Sequence, residues 1–220
     1  MTDGGWALWS VFRRQTAGQV PGADEAEHLR LAIDELAEDE VTVRGVYDVS
    51  GLRADADVMF WLHGDDPVRL QAGLRRIRRT AIIAPLAPTW SALGVHRDAE
   101  FNRSHVPGFL RGEEPRAWLS VYPFVRSYDW YVLPEDDRKR MLAEHGRKGA
   151  AYRSVVANTV AAFGLNDYEW LLPLESDSLT DIVDMMRALR ATEARLHVNE
   201  ETPFFTGRRI GLDELPEVLS

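Results

Sequence analysis

Cysteine is absent from this 220-residue chain. That absence excludes a disulfide framework, thiolate zinc and iron–sulfur sites, a cysteine nucleophile and thiolate-ligated haem, so any metal must be held by histidine, carboxylate or tyrosine. Lysine is scarce: Lys139 and Lys148 are the only two among 26 basic residues, a skew attributable to GC-rich coding. Positive charge is short overall, with 35 acidic residues and a formal net charge of −9. An acidic surface repels phosphate backbones and anionic lipid, so nucleic acid is not an expected partner. No apolar run approaches the ~20 residues that cross a bilayer, and Met1-Thr-Asp-Gly-Gly5 has neither a basic n-region nor an apolar h-region. A cytoplasmic protein without a membrane span is expected. Walker loops, Gly-x-Gly-x-x-Gly, Gly-x-Ser-x-Gly and His-x-x-x-His spacings are also missing.

What is present is an ordinary globular balance, 45% hydrophobic and 28% charged, with seven tryptophans. Trp6 to Phe12 reads as a strand buried on both faces, Asp24 to Glu38 as a helix, and Val41–Asp48 with Asp57–His63 as two strands joined by a turn at Ser50–Arg53. Pro67 to Arg79 reads as a helix with Pro67 in its first turn. The second half repeats this order: a strand over Trp118–Val125, one long or bent helix over Pro134–Phe163, a strand over Tyr168–Leu174, and a helix from Ser178 to about His197. A displacement of 112 positions sets Asp65, Arg75, Arg78 and Thr80 on Asp177, Arg187, Arg190 and Thr192. The βαββα self-similarity predicts an α+β fold of two ferredoxin-like repeats. Residues 1–83 form the first repeat, 84–115 a connecting loop over a pocket, 116–210 the second repeat, and 211–220 an acidic tail.

Three constellations carry chemistry. On the apolar face through Met141, His145, Gly149, Tyr152, Val156 and Val160, His145 has small neighbours, so it reads either as an axial ligand to a flat metallated macrocycle or as a core histidine bonded to backbone. Tyr122-Pro-Phe-Val-Arg-Ser-Tyr-Asp-Trp-Tyr131 gathers oxidisable rings beside Arg126, whose fork grips carboxylates; it suits oxidation of an acidic aromatic ligand, or it is an aromatic core strand entering a turn. His105, in the long loop, is a general base if that loop covers a pocket and a solvated side chain otherwise.

Tyr122-Pro-Phe-Val-Arg126, Trp130-Tyr131-x-Leu-Pro134, Met141-Leu-x-x-His145-Gly-x-x-Gly149-x-x-Tyr152, Asp167-Tyr-Glu-Trp170, and Thr192-Glu-Ala-Arg195 leading to Pro203-Phe-Phe-Thr-Gly207 resemble the chlorite-dismutase-like superfamily. More narrowly, they resemble coproheme decarboxylases of the actinobacterial type. The resemblance covers nearly the whole chain. It implies a dimeric α+β barrel made of two ferredoxin-like repeats within one chain, and a homopentamer. It also implies a reaction, the last step of the coproporphyrin-dependent route: hydrogen peroxide drives oxidative decarboxylation of the 2- and 4-propionates of iron coproporphyrin III (coproheme), giving haem b. Through the same resemblance His145 matches the proximal iron ligand, Tyr122 the radical-forming tyrosine, Arg126 a propionate anchor, Trp130 a residue lining the pocket, and His105 the distal base; Glu193 is a candidate partner for His145. Val156-Ala-Asn-Thr159 carries neither the distal Arg of chlorite dismutases nor the Gln of other decarboxylases, which counts against chlorite turnover. A coproporphyrin ferrochelatase is the implied transient partner, and a haem peroxidase or a haem carrier or sensor are the alternative activities.

Overall fold

In the computed structural model, residues 5–15, 22–98 and 106–220 are described. The chain divides into two compact units, Met1–Val95 with Thr206–Ser220, and His96–Phe205. The first contains β1 (Trp6–Arg13), α1 (Ala23–Asp34), β2 (Val41–Asp48), β3 (Val58–Gly64), α2 (Pro67–Arg78) and β4 (Ala87–Val95). Its strands pair antiparallel in the order β4-β1-β3-β2. Alternation decides which side chains meet the helices: Leu8 and Phe12 of β1 with Phe60 and Leu62 of β3 pack against Leu29, Leu70 and Ile77, whereas Trp9 and Trp61 face the other way and are equally buried. The continuous apolar run of β1 is thus buried on both faces, as its composition predicts. At the start of α2 the Asp66 carboxylate accepts the Val68 N–H at 2.7 Å, and Pro67 occupies the first turn.

The second unit contains β5 (Trp118–Arg126), α3 (Glu135–Gly149), the two-residue strands β6 (Val156–Ala157) and β7 (Val160–Ala161), β8 (Trp170–Ser176), α4 (Leu179–Arg190) and β9 (Val198–Glu200). Here β5 lies between β9 and β8, and β8 pairs on with β6 and β7. A displacement of 112 positions carries β3 onto β8 and α2 onto α4, end for end. Local hydrogen bonds follow the same displacement. Gly5 N–H donates to Asp65 Oδ1 at 3.2 Å and Ala117 N–H to Asp177 Oδ1 at 3.0 Å; Thr80 Oγ1 donates to the Ile77 carbonyl at 2.7 Å and Thr192 Oγ1 to that of Leu189 at 2.8 Å.

Three expectations change. The helix predicted to reach Phe163 ends at Gly149, because Val155, Val156, Thr159 and Val160 favour extended backbone, and Val156 and Val160 pair with β8. The segment 84–115, expected as a connecting loop, contains β4, which completes the first sheet beside β1. The second repeat, expected to run to 210, gives up its last strand, and the acidic tail 211–220 goes with it: Thr206–Ser220 belong with the first unit, where β10 (Phe205–Ile210) pairs with β2 and, after it, α5 (Leu215–Val218) brings Leu215 and Leu219 into the core. Apolar spacing there, not charge, decides the packing.

One titratable group in this frame sets an acid limit on stability. Burial, and then the positive charge of Arg44, lower the pKa of His63 on β3 to about 4. A histidine depressed in the fold takes up its proton preferentially in the unfolded chain, so stability is complete above the reference pKa of ~6.5 and falls as pH drops toward 4, by about 3 kcal/mol. Urea denaturation of the wild type and His63→Gln between pH 7 and pH 4 should show a markedly shallower decline in the variant.

Candidate active site

The site is built on the helical face of the second unit. Tyr122, Phe124 and Arg126 alternate along β5 and so share one side of the strand. They line a shallow cleft, about 440 Å³ with the open solvent at its mouth included, together with His145 of α3, Met186 and Arg190 of α4, and Arg195 and Glu201 beyond α4.

Tyr122 is 3% exposed. Its ring stacks on Phe204 with centroids 4.3 Å apart, and its hydroxyl donates to the Met186 thioether at 3.4 Å. Burial first, and the nearby Glu201 carboxylate second, push the phenol far above its ordinary range, so it keeps its proton at neutral pH. Such a group gives up an electron only if the proton leaves with it.

The Arg126 guanidinium lies 4.2 Å from the Trp130 ring centroid and 4.9 Å from that of Phe124, and Nη1 donates to the Ala194 carbonyl at 3.4 Å. Its backbone N–H donates to Glu169 Oε2 at 2.8 Å, and Tyr131 donates to the same oxygen at 2.8 Å. The strand end is therefore fixed twice, and the cation is stacked in place at the mouth of the cleft. Trp130 is 1% exposed and packs with Met141 and Ala194 beneath Arg126. It is absent from the cleft wall, contrary to the sequence expectation, because the turn after β5 directs the indole inward. Trp130→Ala should cost about 3–5 kcal/mol of stability through the cavity left behind. Chemical denaturation measures that loss, and anion affinity at Arg126 should weaken with it.

His145 reaches the cleft from α3. Burial, then the charge of Arg126, lower its pKa, with Glu144 opposing, so the imidazole is neutral and keeps a lone pair at neutral pH. A Cβ on Gly149, one turn on, would meet only Leu189, at an ordinary 3.9 Å, and one on Gly146 would meet nothing within 4 Å.

The family model described as Chlorite dismutase matches residues 23–210. The chain belongs to the chlorite dismutase family. A coproheme decarboxylase from Mycolicibacterium smegmatis is 53% identical over 214 residues, which span 96% of this chain and 92% of that protein. The crystal structure of a substituted chlorite dismutase from Candidatus Nitrospira defluvii superposes with a TM-score of 0.84 at 20% identity, covering 98% of this chain and 95% of that one. An imidazole complex of chlorite dismutase from the same organism gives 0.77 at 20% identity, covering 96% and 93%. These two structures fix the fold: mixed helix and antiparallel sheet, as in chlorite dismutases.

Within this chlorite dismutase fold, other sequence expectations can be placed. Glu193 is not a partner of His145: its carboxylate is held by Arg140 at 2.5 and 2.9 Å on the exposed side of the 3-10 turn that follows α4. Among the described residues no carboxylate hydrogen-bonds the His145 ring. Asn158, in the Val156–Thr159 stretch, is fully buried; it accepts the Phe109 N–H at 2.8 Å and donates to Glu175 at 3.0 Å, so it supports the fold and not the cleft. Gly108 is required beside it, since a Cβ there would collide with Val156. His105 lies outside the described residues. Sequence reasoning missed Met186, Phe204, Arg190 and Glu201. Arg190 carried a signal in the internal repeat; Glu201 carried none. Among the described residues no cluster of three or more histidines and carboxylates could hold a metal ion.

Proposed function

We propose that this protein is a coproheme decarboxylase, converting iron coproporphyrin III to haem b with hydrogen peroxide. The observation that carries the reading is the convergence of a neutral imidazole, a buried phenol and a stacked guanidinium on one cleft, in a chain 53% identical to a coproheme decarboxylase along nearly its whole length. The donor set fits the substrate. His145 offers a lone pair for iron, Phe124, Leu172, Leu189 and Val198 give apolar walls for a macrocycle, and Arg126, Arg190 and Arg195 offer positive charge to carboxylates. The acidic net charge is therefore a property of the surface and not of the site.

Each propionate loses one carbon dioxide and becomes a vinyl group. The two electrons and one proton released go, with one further proton, to peroxide, which leaves as two waters. The bound ferric porphyrin with peroxide supplies the oxidising power, which an unactivated alkyl carboxylate requires. His145 holds the iron from one side. Arg126 pairs with a propionate and fixes its orientation, and Trp130 holds Arg126. Tyr122 delivers the oxidation: it loses its hydroxyl hydrogen and then regains one from the propionate chain. His105 is assigned the deprotonation of peroxide, for which a histidine near its reference pKa of ~6.5 is suited.

The fold reading that accompanies this is two ferredoxin-like repeats, supported by the common element order and the hydrogen bonds repeated at a displacement of 112 positions. A homopentamer in the cytoplasm, receiving coproheme from a coproporphyrin ferrochelatase, completes the proposal. No helix among the described residues is long and apolar enough to cross a membrane.

Ferric coproheme titrated into the purified protein, followed by stepwise peroxide and mass spectrometry of the porphyrin, tests the reaction. Two successive losses of a carboxyl group are expected. Porphyrin that keeps its mass while peroxide oxidises an added reductant would replace this reading with a peroxidase.

A further inference from the structure

Tyr122 shares its end of the cleft with a charged group that the proposed roles leave unused. Arg190 Nη1 lies 2.8 Å from Glu201 Oε1 and 2.6 Å from Oε2, and Arg195 Nη1 lies 3.4 Å from Oε2. The glutamate side chain is 13% exposed, against 40% and 36% for the two arginines. Its Oε2 is buried, yet no N–H points along it in hydrogen-bond geometry despite the short approach of Arg190. Two guanidiniums thus share one carboxylate, one oxygen of which is poorly served. Two cations against one anion leave a net positive charge facing the cleft, and imperfect hydrogen bonds cost little to exchange. All three side chains line the same cleft as Tyr122, and Phe204, stacked on Tyr122, follows Glu201 by three residues.

We propose that Glu201 is a built-in competitor for the substrate: it occupies Arg190 and Arg195 in the empty cleft and gives them up to the propionate that is about to react at Tyr122. The inference rests on the decarboxylase reading. It makes Glu201 a specificity-determining residue, because only a porphyrin that still carries a propionate beside Tyr122 can displace it. Once that group has become a vinyl, Glu201 returns to the arginines and the product loses its hold there.

Glu201→Gln keeps the shape and removes the competing charge. Dissociation constants for ferric coproporphyrin III, ferric protoporphyrin IX and the dimethyl ester of the latter, measured by Soret titration without peroxide, are the readout. The variant should bind coproheme about tenfold more tightly, the factor that ~1.4 kcal/mol represents, with less than about threefold change for the other two. Arg190→Gln should weaken coproheme alone, and in the double variant the gain from Glu201→Gln should shrink or vanish. Unchanged or weaker coproheme binding by a natively folded Glu201→Gln overturns the proposal, as does equal tightening of the dimethyl ester. If Glu201→Gln does not fold, Arg190→Gln decides: loss of coproheme affinity alone supports the proposal, and no loss overturns it. Wild-type protein that binds coproheme but never shortens it would overturn the reaction and leave this binding comparison interpretable.

Discussion

Tyr122→Phe should bind coproheme within about threefold of wild type and lose decarboxylation by at least about a thousandfold, equivalent to ~4 kcal/mol of barrier. The structure separates the two effects. Binding is expected to survive because the ring, not the hydroxyl, does the packing: the stack on Phe204 persists in the variant. The hydroxyl's hydrogen bond goes to the Met186 sulfur, a weak acceptor at 3.4 Å, so its loss disturbs little. Catalysis is lost because the only hydrogen that Tyr122 can surrender and recover belongs to that hydroxyl. Phenylalanine has no oxidisable O–H, and the desolvated phenol has no accessible phenolate whose absence could be compensated by raising the pH. Raising the pH from 6 to 9 should therefore not restore the activity of Tyr122→Phe. Mass spectrometry after stoichiometric peroxide gives the test: appreciable conversion to the three-propionate species would remove Tyr122 from the oxidation and leave it a core aromatic.

Much of this arrangement was legible in the chain, for reasons that differ from residue to residue. Strand β5 could be read because strict alternation puts Tyr122, Phe124 and Arg126 on one face whatever the tertiary fold. Helix α2 and its copy α4 could be read because Asp66-Pro67 marks a start and the apolar spacing repeats 112 positions later. The helix running to Phe163 was an error of periodicity: Tyr152, Val156 and Val160 continue the spacing of Met141 and His145, but Tyr152 lies in the turn that ends the helix, and only pairing with β8 reveals Val156 and Val160 as extended. Glu193 was a plausible histidine partner as a carboxylate within the Thr192–Arg195 motif, but turn geometry gives it to Arg140. Glu201 and Met186 stood no chance of being chosen. They are 79 and 64 residues from Tyr122, and neither local propensity nor spacing records a contact made by packing two distant elements.

His145→Ala tests the other half of the site. If the imidazole is the iron ligand, the variant should bind ferric coproheme at least about tenfold more weakly, a loss of ~1.4 kcal/mol or more, and its Soret band should move to that of a differently ligated ferric porphyrin. A core histidine would behave otherwise, since removing a half-buried side chain at this edge of α3 would lower stability without altering the spectrum of the bound porphyrin. The depressed pKa sharpens the distinction. A neutral imidazole offers a lone pair down to a lower pH than a free histidine, so iron ligation in the wild type should persist below pH 6.5. As acidification proceeds, protonation competes with iron for the same nitrogen and ligation is lost. His145→Ala should show no such acid transition. Added imidazole should restore part of the wild-type spectrum in the variant, because the cleft is open to solvent and the neighbouring glycines Gly146 and Gly149 project no side chains into the vacated space. Rescue by imidazole with Tyr122 intact should also restore peroxide-driven loss of the first carboxyl group. Restored ligation without restored chemistry would mean that the covalent anchoring of the ligand to α3, and not the imidazole alone, orients the substrate against Tyr122.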